Sequence, residues 1–123
     1  MPKFSRLLIA VALLSVGYVH SASAADGDTA YIMSYFETNF ADKDKVRALA
    51  RKLSDTSNKE DSNLRFEVLQ RIDQADQLSI LAAWKDKTAA AAHADAAHTK
   101  EFCETLTPMR GSLYDERFYR QIN

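Results

Sequence analysis

The 123-residue chain contains only one cysteine, two prolines and three glycines. Cys103 is the only cysteine, so no disulfide can form within the chain. We expect it to be a small buried residue or an unreactive thiol, with a disulfide between subunits as the alternative. No proline-rich or serine-rich linker divides the chain, which predicts one small domain. The net charge of −1 provides no basic surface for nucleic acid or an anionic membrane.

The first 24 residues have the features of a signal peptide. Lys3 and Arg6 precede the apolar run LLIAVALLSVGYV, and Ala22 and Ala24 supply small residues at a cleavage site. The apolar run is short for a membrane span, so an uncleaved anchor is the alternative. We expect cleavage after Ala24 or one residue later, and export to the periplasm or the medium. The mature domain, 25–123, would hold 14 basic and 17 acidic residues, since only Lys3 and Arg6 are lost from the 16 basic ones.

Four stretches of the mature domain are rich in aromatic and β-branched residues and predict strands. They cover 30–37, 63–72, 77–85 and 112–122. Only the turn DQAD separates the second from the third, so these two should form a hairpin. In the second strand the residues predicted to share one face are Leu64, Phe66, Val68 and Ile72. In the last strand they are Tyr114, Phe118 and Ile122.

Two further stretches have apolar residues at helical spacing. The first covers 42–57, with Asp42 as its N-cap. The second should run as one helix from Asp86 or Thr88 to about Leu106. The order βαββαβ predicts an α+β fold of the ferredoxin-like type, in which two helices cover one face of a four-stranded antiparallel sheet.

The face of the sheet without helices is also apolar. In the first strand, Tyr31, Met33 and Tyr35 point away from Ile32 and Phe36, and in the third strand Leu81 and Ala83 point away from Leu78, Ile80 and Trp84. A sheet with one solvated face alternates more cleanly than this. We therefore expect a second subunit, giving a homodimer, or a ligand to cover this face. Exposed aromatic residues on a monomer are the alternative.

A series of motifs in a fixed order carries a resemblance to a known family. The second strand reads LRFEVLQ, the third ends in Trp84, WKDKTAAAAH leads to His93, His98 precedes TKEF, and LYDERFY closes the series. Over 30–122 the chain resembles the antibiotic biosynthesis monooxygenase domain, including its quinol monooxygenase type. The resemblance implies a dimeric α+β barrel and cofactor-independent oxidation of electron-rich aromatic substrates by dioxygen. A related branch degrades haem with an asparagine where this chain has Phe36, which disfavours that activity here.

His93 and His98 stand five residues apart in the alanine-rich stretch AAAAHADAAH. In one regular helix, residues five apart point about 140° away from each other. We therefore expect the two imidazoles not to share a metal ion, and no other ligand cluster is visible. The helical pattern places His98 on the apolar face and His93 on a half-exposed flank. The family resemblance singles out His93, because a histidine at this distance after the strand-three tryptophan recurs there.

The oxidation that the resemblance implies needs an apolar cavity and a proton acceptor near the substrate hydroxyl. An imidazole suits this task because it exchanges a proton near neutral pH. His93 and His98 are therefore the candidate catalytic residues, with no metal and no cofactor. Trp84, Tyr31 and Tyr35 are the candidate substrate-binding residues, since their rings can stack on a flat substrate and hydrogen-bond to it. Packing in the core or between subunits is the alternative for each.

Three functions remain open from the sequence. The first is an exported cofactor-independent monooxygenase that acts with dioxygen on quinol-like or other electron-rich aromatic substrates. The second is a non-catalytic periplasmic dimeric barrel that binds an apolar ligand such as haem. The third is a structural dimer. Oxygen consumption separates the first from the other two, and a stoichiometric complex separates the second from the third.

Overall fold

The computed structural model describes residues 28–123, and the predicted signal peptide lies outside this part of the chain. The strands are β1 Ala30–Glu37, β2 Asn63–Gln70, β3 Gln77–Trp84 and β4 Asp115–Tyr119. The helices are α1 Lys43–Ser57, α2 Lys87–Asp95 and α3 Ala97–Leu106, with short 3₁₀ turns at Phe40–Asp42 and Thr107–Met109. Within residues 28–123, none of the helices has the length and apolar character that a bilayer crossing requires.

The four strands form one antiparallel sheet in the order β2-β3-β1-β4. This order and the helices between the strands confirm the predicted α+β, ferredoxin-like fold. The hairpin of β2 and β3 is also confirmed, and its register places Asn63 opposite Trp84. The start of β2 therefore lies beside the end of β3, and Lys85 N–H donates to the Ser62 carbonyl at 3.0 Å across this edge.

Two predicted strand patterns are wrong at their ends. The register of β2 shifts between Asn63 and Arg65, a bulge that takes Leu64 off the buried face and leaves it 57% exposed. Ile72 lies beyond the end of β2 and is fully exposed. β4 is shorter than predicted because β1 begins at Ala30 and offers no partner beyond Tyr119, so Ile122 is also exposed.

The sheet has two distinct faces. We call the face beneath the helices the inner face, and its residues on β1 and β3 are Ala30, Ile32, Ser34, Phe36, Leu78, Ile80, Ala82 and Trp84, all buried. The opposite face is the outer face, formed by Tyr31, Met33 and Tyr35 on β1 with Leu81 and Ala83 on β3. The alternation predicted for both strands is confirmed. No element of residues 28–123 covers the outer face as the helices cover the inner one.

Helix α1 follows its sequence pattern. Val46, Ala50 and Leu53 are buried at helical spacing and Leu49 packs partly against the same core. Asp42 occupies the N-cap position, as predicted, although its side chain makes no capping hydrogen bond. Because the apolar stripe is regular, α1 lies on the inner face as one uninterrupted helix.

The prediction of one continuous second helix is wrong. Ala96 has φ −65° and ψ 144°, an extended conformation that ends α2 and begins α3. Its N–H donates to the His93 carbonyl, and its own carbonyl accepts from Thr99 and Lys100, each at 3.1 Å. The predicted start is confirmed, because Asp86 Oδ1 accepts from Ala89 N–H at 2.8 Å. The break redirects the chain, and Phe102 and Leu106 of α3 complete the core.

Candidate functional site

A cavity of about 1170 Å³ lies between the inner face and the helices. Its wall includes Ser34, Leu53, Trp84, His93, Thr99 and Tyr114. The volume is at or above the upper end of the ~300–1,000 Å³ range of small-molecule sites. The cavity is therefore large enough to take a multi-ring organic molecule.

A second feature adjoins the cavity, in which one carboxylate oxygen bridges two imidazoles. Glu60 Oε1 lies 2.8 Å from His93 Nδ1 and 2.7 Å from His98 Nε2. We call these three residues the Glu60 cluster. Glu60 comes from the turn between α1 and β2, His93 from α2 and His98 from α3. Their side chains are 23%, 11% and 26% exposed, so the cluster is largely but not wholly shielded from water.

The ring of His93 is held from several sides. It stacks on Trp84 with centroids 4.3 Å apart and planes at 26°, and it meets Phe66 edge-on at 5.6 Å. Because a carboxylate can only accept a hydrogen bond, Nδ1 carries a hydrogen, and in the neutral imidazole Nε2 has the lone pair. Thr99 Oγ1 lies 3.4 Å from Nε2 and 3.5 Å from Nδ1. His93 thus lines the cavity with its ring held in a fixed orientation.

The structure corrects two expectations about the histidines. His93 was expected to be half-exposed, but the whole residue is 8% exposed and its side chain 11%, because Trp84, Phe66 and the Glu60 carboxylate give its ring both stacking and hydrogen-bonding partners inside. The premise of the geometric argument against a shared metal ion is also wrong, since that argument assumed one regular helix. The break at Ala96 turns both imidazoles toward Glu60. His98 is partly buried and does not line the cavity.

Trp84 lies beside His93, whereas the two predicted tyrosines lie elsewhere. Trp84 is completely buried, lines the cavity, and its Nε1 has no hydrogen-bond partner within residues 28–123. Tyr31 and Tyr35 are on the outer face, where Tyr31 donates to Gln121 Oε1 at 3.4 Å and Tyr35 is 37% exposed. The structure therefore brings together Trp84, His93 and His98, and it separates Tyr31 and Tyr35 from them.

Three residues of this region, Glu60, Ser34 and Tyr114, were not predicted as site residues from the sequence. For Glu60, the predicted hairpin of β2 and β3 is the one indication in the sequence. Its register places Asn63 opposite Trp84, which brings the turn that contains Glu60 close to α2. Ser34 is a polar residue on the otherwise apolar inner side of β1, and a polar residue in such a position indicates a candidate site residue. Tyr114 stacks on Phe36 at 5.4 Å and lines the cavity together with Ser34. Burial raises the pKa of Tyr114 to about 12, while the Ser34 side chain acts in the opposite direction.

Cys103 is a free thiol on the exposed side of α3. Partial burial of the sulfur raises its pKa, and the neighbouring Glu116 carboxylate acts in the same direction. A raised pKa leaves less of the nucleophilic thiolate at neutral pH, which fits the expected unreactive thiol. The expectation of a buried residue at this position is wrong.

Comparisons with known proteins agree with this fold. The family model described as antibiotic biosynthesis monooxygenase matches residues 29–105. No curated protein matches the chain in a sequence comparison.

Several solved structures have the same architecture. A conserved protein from Methanosarcina mazei is 18% identical with a TM-score of 0.74, covering 79% of this chain and 96% of that one. A Nitrosomonas europaea protein, provisionally named an antibiotic biosynthesis monooxygenase, is 22% identical with a TM-score of 0.74, covering 78% and 92%. A Pseudomonas aeruginosa protein is 12% identical with a TM-score of 0.74, covering 80% and 99%. At these identities the structural likeness shows the fold alone.

Proposed function

Since the chain belongs to the antibiotic biosynthesis monooxygenase family, we propose that it is a cofactor-independent monooxygenase that oxidises quinol-like or other electron-rich aromatic substrates with dioxygen. One observation carries the proposal. His93 lines a large cavity, and its ring is oriented by the Glu60 carboxylate at 2.8 Å and by the stacked ring of Trp84.

The role of His93 is to accept a proton from the substrate hydroxyl. Glu60 holds the hydrogen on Nδ1, so the Nε2 lone pair is available to a hydroxyl bound in the cavity. When Nε2 takes the proton, the same carboxylate stabilises the imidazolium that forms, as in other carboxylate–histidine pairs. Glu60 is thus a positioning residue, and His93 is the proposed base.

Removal of that proton makes the aromatic ring electron-rich enough to reduce dioxygen. One oxygen atom forms a new bond to a ring carbon, which loses its hydrogen, and the other leaves as water. A quinol and dioxygen then give a hydroxyquinone and water, with all electrons supplied by the substrate. No external reductant is needed, and a cavity that excludes water protects the reactive intermediates.

Other groups in the cavity wall suit an oxygenated aromatic ligand. The Nε1–H of Trp84 lacks a partner within residues 28–123 and is available to a substrate oxygen. The hydroxyls of Ser34 and Tyr114 offer a second polar point in the wall. We propose that these groups orient the ring while apolar neighbours contact its faces.

We further propose that the protein works as an exported homodimer, in the periplasm or the medium. Support for export is limited to the N-terminal sequence, with Lys3 and Arg6 before an apolar run. Support for a dimer is the outer face, where Tyr31, Met33 and Tyr35 lie in a row on β1. A second subunit covering this face would remove their apolar surface from water.

The test is anaerobic incubation of the purified protein with a panel of quinols and with haem, followed by addition of oxygen. We expect quinol-dependent oxygen uptake with one hydroxyquinone formed per dioxygen. Glu60→Gln and His93→Gln should each lower the initial rate by about 10²-fold or more. Asp61→Asn, a neutralised carboxylate one position further along the same turn, is the matched control and should keep the rate.

Two results would refute the proposal. A stoichiometric complex with haem or a quinol but no oxygen uptake would identify a binding barrel instead. Full oxygen uptake by both Glu60→Gln and His93→Gln would show that the proton is taken elsewhere.

A further inference from the structure

We infer that the Glu60 cluster is a binding site for a divalent transition-metal ion of the Zn²⁺ class. The three side chains come from three separate segments of the chain, yet their ligand atoms all lie within 4.8 Å of one another. Among residues 28–123 this is the one such group of histidine, cysteine and carboxylate side chains that is found. The site is distinct from the aromatic cavity, although His93 borders both.

The chemistry of the donors selects the kind of ion. Two imidazole nitrogens and one carboxylate oxygen suit Zn²⁺ and neighbouring ions such as Co²⁺ and Ni²⁺. Mg²⁺ and Ca²⁺ prefer sites made of oxygen atoms alone, so the two imidazoles disfavour them. Three protein ligands leave at least one coordination position for water, and the exposure of His98 and Glu60, at 26% and 23%, gives a route for the ion.

The geometry needs an adjustment of both the carboxylate and the imidazoles to receive an ion. The contacts from Glu60 Oε1 are 2.8 Å to His93 and 2.7 Å to His98, and the three ligand atoms lie within 4.8 Å of one another. Metal–ligand bonds of about 2.0–2.1 Å in a tetrahedron separate the ligand atoms by roughly 3.3 Å. Each contact from Glu60 must therefore lengthen by about half an ångström, and a wider separation of the two imidazole nitrogens must close to the same value. Glu60 lies in a turn and not in a helix or strand, so rotation of its side chain can provide the first change, and rotation of the imidazole rings would provide the second.

The surroundings of His93 resemble the outer shell of a metal site. Trp84 and Phe66 fix the plane of its ring, and Thr99 Oγ1 lies 3.4 Å from Nε2 and 3.5 Å from Nδ1. A ligating imidazole commonly donates its other N–H to a nearby acceptor, which sets the tautomer. When Nδ1 binds the ion, Nε2 carries the hydrogen, and a rotation of the Thr99 side chain would bring its hydroxyl into line to accept it.

The metal site has a consequence for the proposed reaction, and this consequence alone rests on the proposed function. An ion at Nδ1 forces the hydrogen onto Nε2, where it blocks acceptance of a proton from the substrate. The ion also takes the Glu60 carboxylate away from His93. Metal binding and the proposed base therefore exclude each other, so zinc should inhibit oxygen uptake.

The experiment is a titration of the purified protein, without a polyhistidine tag, with Co²⁺. We expect the visible absorption bands of tetrahedral Co²⁺ at one ion per chain, and their loss when Zn²⁺ is added. Glu60→Gln and His98→Asn should each weaken binding by at least the ~10–100-fold that loss of an outer partner costs. Asp61→Asn and Cys103→Ser should bind as the parent protein does, and circular dichroism of each variant checks its folding.

Absence of these bands, or binding unchanged in both Glu60→Gln and His98→Asn, would overturn the metal site. Oxygen uptake measured in parallel, with a chelator and with added zinc, separates the two proposals. Co²⁺ binding without any oxygen uptake would support the metal site and refute the monooxygenase proposal. Oxygen uptake that zinc does not inhibit, in a protein that shows no Co²⁺ bands, would support the monooxygenase proposal and refute the metal site.

Discussion

The two faces of the sheet both carry aromatic rings but place them in opposite surroundings. On the inner face, Trp84 and Phe66 are buried and hold the ring of His93 between them and the cavity. On the outer face, Tyr31 and Tyr35 are partly exposed and lie beneath no helix. Aromatic character alone therefore does not mark a functional site. The inner rings differ because they enclose polar groups, the imidazole and the carboxylate, that need partners away from water.

The largest effect that tests this comparison is on stability. Trp84→Ala removes a completely buried ring that stacks on His93 and meets Phe66 at 6.4 Å, so it should lower the free energy of unfolding by about 3–5 kcal/mol. Tyr35→Ala on the outer face should cost less than about 1 kcal/mol in the monomer. Urea unfolding at low protein concentration measures both, and equal losses would contradict the distinction between the faces.

A substitution on the outer face should instead weaken the association of two subunits. Leu81 lies opposite Met33 on one side and Glu67 on the other, so Leu81→Glu places a second carboxylate beside Glu67. If another copy covers this face, the unpaired charge should raise the dimer dissociation constant by about 100-fold or more. Size-exclusion chromatography with light scattering measures the change.

Leu113→Glu is the matched control for assembly, because Leu113 is 85% exposed and outside the strands. It should leave the dimer unchanged. A parent protein that is monomeric at every concentration would show that the outer face is not a subunit interface.

The sequence supported the sheet and α1 because both follow simple periodicities. Alternation on β1 placed Ile32 and Phe36 on one side, and helical spacing placed Val46 and Leu53 in the core. The break at Ala96 could not be predicted in the same way. Alanine is the strongest helix former, so no local preference marks the residue as a boundary. The break accompanies the burial of Phe102 and Leu106 of α3 in the core, which local sequence does not reveal.

The candidate site was predictable only in part. The motifs indicated Trp84 and His93, and the structure places them in contact. Glu60 could not be found from spacing, because it lies 33 residues from His93 and 38 from His98 in the chain. Such long-range contacts depend on how the helices lie on the sheet. Alternation along β1 predicts Tyr31 and Tyr35 on the face away from Phe36, and the structure places that face on the opposite side of the sheet from His93.

A pH titration separates a partly buried tyrosine, Tyr114, above the inner face from one on the outer face. The pKa of Tyr114 is raised from 10.0 to about 12 by burial, so the unfolded chain releases this proton at lower pH than the folded protein does. The stability that depends on neutral Tyr114 is complete below pH 10 and is lost as the pH rises toward 12.

Tyr114→Phe should therefore reduce the loss of stability in this pH window, as measured by thermal melts at several pH values. Tyr35→Phe, which removes the same hydroxyl from the outer face, should leave the pH dependence as it is in the parent protein. An unchanged profile in Tyr114→Phe would show that Tyr114 ionises as easily in the folded protein as in the unfolded chain.

The smallest expected effect concerns the helices that cover the inner face. Asp86 caps α2 through its side chain, whereas Ala96 begins α3 without a side-chain cap. The backbone of Ala96 is already extended, so Ala96→Ser should supply the missing acceptor and stabilise the protein by about 1 kcal/mol. Urea unfolding measures the gain, with Ala92→Ser within α2 as the control that should give none.

If Ala96→Ser also leaves the Co²⁺ affinity unchanged, the break itself, and not the alanine side chain, is what brings His93 and His98 to Glu60. A loss of stability in Ala96→Ser would instead mean that the start of α3 cannot hold a side-chain cap.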